Sequence, residues 1–118
     1  MQDNPLSNKS YSFALKIVAL YKEITLQERE FILSKQLLRS ETSIGSNISE
    51  ANGAISKADF SAKISIAYKE SLETKYWLNL LKDSDYISAN LANKLIIDAD
   101  ELSKIMFSIL KTTRINSK

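Results

Sequence analysis

Residues 56–82 read SKADFSAKISIAYKESLETKYWLNLLK, twenty-seven positions without a glycine or proline. Ser56 stands where a helix N-cap is expected, with Asp59 three residues on to favour the N-terminal dipole. Phe60, Ile64, Ala67, Ser71, Thr74, Leu78 and Leu81 then recur at helical spacing and share one stripe. That stripe alternates bulky and small side chains, as close helix packing requires. Ile66, Trp77 and Leu80 fall on a different face, together with Glu70 and Glu73. A helix that is apolar on two sides has two sets of neighbours, so this segment predicts a helical bundle.

The rest of the 118-residue chain repeats the pattern. A first helix is expected at about 8–24, with Phe13, Ile17, Leu20 and Ile24 inward and Tyr11, Ala14, Val18 and Tyr21 widening the apolar face. Thr25 followed by Glu28 reads as a capping box that opens a second helix at about 26–52. In it Leu33, Leu37, Ile44, Ile48 and Ala51 fall within a sector of about 60°. Gly45 lies inside this helix, where it costs about 1 kcal/mol relative to Ala unless close packing needs the missing side chain. The third helix is 57–82. Ser88 is expected to cap a fourth at 89–113, with Leu91, Leu95, Leu102, Ile105, Met106 and Ile109 inward. Ile96 and Phe107 stray outside that stripe. Short connections between long helices favour antiparallel neighbours, so the prediction is all-α, a single up-down-up-down four-helix-bundle domain over 1–118.

Composition narrows the chemistry. Two glycines and one proline are too few for a turn-rich sheet fold. With no Cys there is no disulfide, thiolate site or thiol nucleophile, and with no His the commonest general base and metal ligand is missing. Bundle di-metal centres draw on Glu-x-x-His pairs, and the acids here are uneven: Glu41 and Glu50 on the second helix, Glu70 and Glu73 on the third. No metal, no cofactor and no enzymatic activity are expected. No apolar run reaches membrane-spanning length, and the first residues lack the basic and apolar regions of a secretion signal, so a cytoplasmic location is expected.

Two polar constellations remain. Arg39, Ser43, Asn47 and Glu50 stack along one edge of the second helix, where an Arg above amide and carboxylate groups suits a neighbouring helix, another subunit or a ligand. Lys104, Lys111, Arg114 and Lys118 fall within a sector of about 80°, with no acid after Glu101. That edge is a candidate phosphate-binding surface, although cations there also suit the helix C-terminal dipole. The net charge of +2 neither demands nor excludes nucleic acid.

An ordered series of short motifs carries a resemblance across nearly the whole chain. It begins Leu37-Leu38-Arg39-Ser40 and Thr42-Ser43-Ile44-Gly45-Ser46-Asn47, followed by Glu50-Ala51, Gly53-Ala54, Ser56-Lys57 and Asp59-Phe60. It continues through Ile66-Ala67, Lys69-Glu70, Glu73-Thr74, Tyr76-Trp77-Leu78 and Leu80-Leu81. The chain resembles the bacterial family named after the 23S ribosomal RNA intervening-sequence protein, also called the S23 ribosomal protein family. Gly45 and Ala51, where other branches carry Pro and Gly, place the resemblance with the Gly-type branch. The resemblance implies a left-handed four-helix bundle that assembles as a homopentamer. Ile66, Trp77, Leu80, Ile96 and Phe107 then become candidate subunit-interface residues, and the Arg39–Glu50 stripe gains a partner across an interface. It further implies RNA or DNA held by a basic surface repeated around the ring. The alternative is a protein-binding adaptor, as in the related retroelement accessory proteins that dock a reverse transcriptase.

Overall fold

A computed structural model describes residues 4–116, with side chains through Thr113. Four helices follow one another: α1 (Pro5–Glu23), α2 (Leu33–Asn52), α3 (Lys57–Asp83) and α4 (Ala89–Asn116). No strand occurs among the described residues. Side-chain contacts set the register. Ser7 meets Asn52, Ser40 meets Thr74 and Ser71 meets Ser103, while Lys16 meets Asp98 and Lys9 meets Glu101. Each neighbouring pair therefore runs antiparallel. The helices follow in order around the bundle, α4 closes on α1, and the α1–α2 seam lies opposite the α3–α4 seam.

The core follows the predicted stripes. Phe13, Ile17, Leu20 and Ile24 of α1 are all buried, as are Leu37, Ile44, Ile48 and Ala51 of α2. On α3, Ile64, Ala67, Ser71, Thr74, Leu78 and Leu81 are buried; Phe60, expected with them, packs against the core while only half-buried. On α4 the buried set is Ala92, Leu95, Ala99, Leu102, Ser103, Met106 and Leu110, with Leu91, Ile105 and Ile109 half-buried. Tyr11 departs from expectation, since 69% of it is exposed. Burial of the core side chains removes apolar surface worth about 25 cal/mol per Å², which makes these inward stripes the main source of stability.

Two expected caps form. Ser56 Oγ accepts from Asp59 N at 3.0 Å, and Ser88 Oγ accepts from Leu91 N at 3.1 Å. The expected capping box at Thr25–Glu28 does not form. Thr25 Oγ1 instead donates backwards to the carbonyls of Tyr21 and Lys22, at 2.9 and 3.2 Å. The chain stays helical through a wide π-type turn, Ile24–Glu28, and reverses at Arg29, whose φ of 55° is left-handed. As a result α2 begins at Leu33 rather than at 26. Its cap is the Glu30 carboxylate, which accepts from Ile32 N, Leu33 N and Ser34 N at 2.9, 2.8 and 2.8 Å. Burial pushes the Glu30 carboxyl up, but the amides of Leu33, Ser34 and Ile32 outweigh it and hold it below the usual range.

Candidate nucleic-acid interface

The basic edge of α4 is partly in view. Lys104 and Lys111 are both exposed and lie two turns apart on one edge of the helix. The Arg114 side chain and Lys118 lie outside the described residues. Lys104 Nζ lies 3.0 Å from Asp100 Oδ2, and Lys75 Nζ of α3 lies 3.1 Å from Asp100 Oδ1. Those hydrogen bonds, from Lys104 and then Lys75, hold the Asp100 carboxyl below its ordinary range. A phosphate at this edge must therefore compete with Asp100 for Lys104. Other cations are similarly engaged: Lys9 with Glu101, Lys16 with Asp98 at 2.9 Å, and Lys63 with Glu50 at 3.2 Å. The antiparallel register also brings exposed Lys57, at the start of α3, to the same end of the bundle as Lys111.

The Arg39–Glu50 stripe finds its partners inside the chain, on α3. Arg39 Nη1 donates to Glu70 Oε2 at 3.2 Å, Nη2 pairs with the Glu73 carboxylate, and Nε donates to Gln36 Oε1 at 3.1 Å. Glu73 also accepts from Trp77 Nε1 at 3.2 Å. Asn47 Nδ2 turns back to Ser43, donating to its carbonyl at 2.8 Å and its hydroxyl at 3.2 Å. The partner that the resemblance puts across an interface is thus supplied by α3 of the same molecule.

The five interface candidates do not share one surface. Trp77 lies on the α2–α3 side, half-buried against the core, with Tyr76 edge-on at 5.0 Å. Ile96 also packs against the core, Leu80 is half-buried, and Ile66 is exposed. Phe107 is 55% exposed on the α3–α4 seam, where its ring meets Tyr68 at 5.9 Å beside exposed Leu72.

Three features escaped the periodicity. Tyr68, Leu72 and Phe107 line a shallow open hollow of about 290 Å³ between α3 and α4, together with Lys75, Asp100 and Lys104. An open groove of about 580 Å³ runs between α1 and α2, with Tyr11 and Leu15 on its rim and Ala14, Gly45 and Ile48 among its lining. Glu41, which the sequence offers only as one of four unevenly placed acids, is fully buried, and neither carboxylate oxygen has a hydrogen-bond partner among the described residues. Burial alone pushes its carboxyl up to about 7. Tyr11 and Leu15, four residues apart beside the Phe13–Ile17 stripe, were the available signal for the groove.

Among the described residues no group of three or more acidic side chains could hold a metal ion, and no helix is long and apolar enough to cross a membrane.

Residues 2–108 match the family model described as 23S rRNA-intervening sequence protein. A crystal structure from Bacteroides thetaiotaomicron, of a protein with unknown function from the S23 ribosomal protein family, superposes with a TM-score of 0.88 at 47% identity. The match covers 90% of this chain and 98% of that one. No curated protein matches.

Proposed function

The chain belongs to the 23S rRNA-intervening sequence protein family, and on that premise we propose that it is a non-enzymatic, cytoplasmic bundle protein that self-assembles and holds RNA by its phosphates. In this reading a homopentamer repeats the basic edge of α4 around an axis, so that contacts too weak singly act together. The observation that carries it is the alignment of exposed Lys104 and Lys111 on one helix edge, continuing along the sequence toward Arg114 and Lys118. Such contacts position a backbone without reading bases.

Fluorescence anisotropy with a structured RNA tests the reading. Binding should fall steeply with salt, by roughly 0.9 log units per log unit of salt for each phosphate contact with a duplex. Lys104→Glu with Lys111→Glu should weaken binding at least tenfold without changing the helical content. Absence of binding at low salt would overturn it.

A second reading, a protein-binding adaptor that docks an enzyme such as a reverse transcriptase, is supported by a different region. Leu26, Phe31 and Ile32 are each more than half exposed around the α1–α2 turn, at the end of the bundle away from Lys111. An apolar cluster of that kind suits a protein surface better than a phosphate backbone.

A further inference from the structure

Of the four helices, α1 is the least firmly seated. Hollows of about 180, 350 and 180 Å³ follow one another along its seam with α4, and the open groove runs along its seam with α2. Its ties to both neighbours lie at the surface: Lys9 with Glu101, Lys16 with Asp98, and Asn4 and Ser7 with Asn52. Buried hydroxyl pairs join α3 to α2 and to α4, whereas Ser10 Oγ, buried on α1, has no partner. The segment from α1 to α2, residues 25–32, is largely exposed and turns on left-handed Arg29.

Glu41 faces this loosely held helix. Glu41, Gly45, Ile48 and Asn52 are four, three and four residues apart and form one stripe of α2. That stripe looks at α1: Asn52 Nδ2 donates to Ser7 Oγ at 2.8 Å, and a Cβ on Gly45 would lie 3.7 Å from Ser10 Oγ. Continuing the antiparallel register sets Glu41 against residues 14–18 of α1, where Ile17 is fully buried. Glu41 is the one charged side chain buried among the described residues. The charges around it are engaged elsewhere. On α1, Lys16 pairs with Asp98, and Tyr21 one turn beyond Ile17 is half-buried. On α3, Glu70 and Glu73 hold Arg39 of α2, and Lys75 holds Asp100. On α4, Asp98, Asp100 and Glu101 face lysines at the surface. An ionised Glu41 therefore meets no counter-charge while α1 is docked, and meets water once α1 leaves.

We propose that α1 is a proton-controlled latch: neutral Glu41 lets it dock, and ionised Glu41 drives it to swing out about residues 25–32. The other three helices stay joined through their hydroxyl pairs, and Phe13, Ile17 and Leu20 of α1 are uncovered. Because the docked form holds the Glu41 proton more firmly, docking is strongest below pH about 4.5 and weakens as pH rises to about 7, levelling beyond. Opening of α1 should thus become about tenfold more frequent between pH 6 and pH 8.

Amide hydrogen exchange of the full chain, corrected for the intrinsic pH dependence of exchange and repeated at low urea concentrations, tests it. Amides at Phe13, Ile17 and Leu20 should open more often than those at Ile64, Leu78 and Leu81, with a weaker urea dependence, at both pH values. The α1 opening should rise about tenfold from pH 6 to pH 8 in the wild type and stay level in Glu41→Gln. Glu41→Leu, which removes the charge without leaving an amide, should also stay level. Equal opening and equal urea response of α1 and α3 would mean that the whole chain unfolds together, and would overturn the latch. So would an α1 opening that ignores pH in the wild type, or that rises equally in both variants.

Discussion

The seams that α3 makes with its neighbours and the seam between α1 and α2 are built from similar residues but finished differently. On the α3 side every buried hydroxyl is answered. Ser40 and Thr74 meet at 2.9 Å, Ser71 and Ser103 at 2.7 Å, and each hydroxyl also donates to, or lies against, a carbonyl of its own helix. On the α1–α2 side Ser10 Oγ is buried without a partner. Glu41, one turn before Gly45 on α2, is buried with both oxygens unanswered. Hydrogen bonding thus closes one half of the bundle, while the other half keeps polar groups in deficit beside an open groove.

The largest expected effect comes from removing the ionisable group. The Glu41 carboxyl is raised in the folded chain from 4.5 to about 7, so the folded state binds the extra proton. Its contribution to stability is fully present below pH about 4.5 and lost as pH rises through about 7. Glu41→Gln should match the wild type near pH 4.5 and exceed it by about 3 kcal/mol at pH 8, measured by urea unfolding. Equal stability of the two at pH 8 would remove the contrast between the seams.

Opening the finished side should cost less. Thr74→Val breaks the pair with Ser40, whose hydroxyl keeps the Leu37 carbonyl at 3.1 Å, so about 1 kcal/mol should be lost. A loss beyond about 3 kcal/mol would mean that the hydroxyl pairs carry more than local satisfaction. Gly45→Ala, on the open seam, should stabilise the isolated fold by up to about 1 kcal/mol, because nothing lies closer to its new methyl than 3.7 Å. Destabilisation would place an intrachain constraint where none is visible. The smallest effect belongs to the exposed pair that ties α1 to α4: Lys16→Ala should change stability by no more than about 0.5 kcal/mol and less at high salt.

Periodicity made most of the bundle legible because burial stripes repeat with the helix. Ile64 to Leu81 on α3 and Phe13 to Ile24 on α1 occupy the core as their spacing implies. Helix starts were legible where a short polar side chain caps the adjacent turn, as Ser56 and Ser88 do. The start of α2 was not, because a threonine can also bond backwards to its own helix, and a glutamate three residues upstream took the capping role. The motif stripe was legible as a unit, but its partners on α3 depend on tertiary register. The α4 basic edge was legible as a sector of cations. Its neutralisation by Asp100 was not, since Lys75 reaches that carboxylate from another helix. The groove and the α3–α4 hollow escaped for a related reason: each is shared between two helices, and no single-helix period reports a seam.

The contrast between the seams rests on a carboxyl group that no described residue compensates. Carbon-detected NMR of the Glu41 side-chain carboxyl, followed from about pH 4 to about pH 9, measures that directly. A midpoint near 7 is the predicted result. A midpoint near 4.5 would show the group solvated or paired, and would contradict the account of the α1–α2 seam.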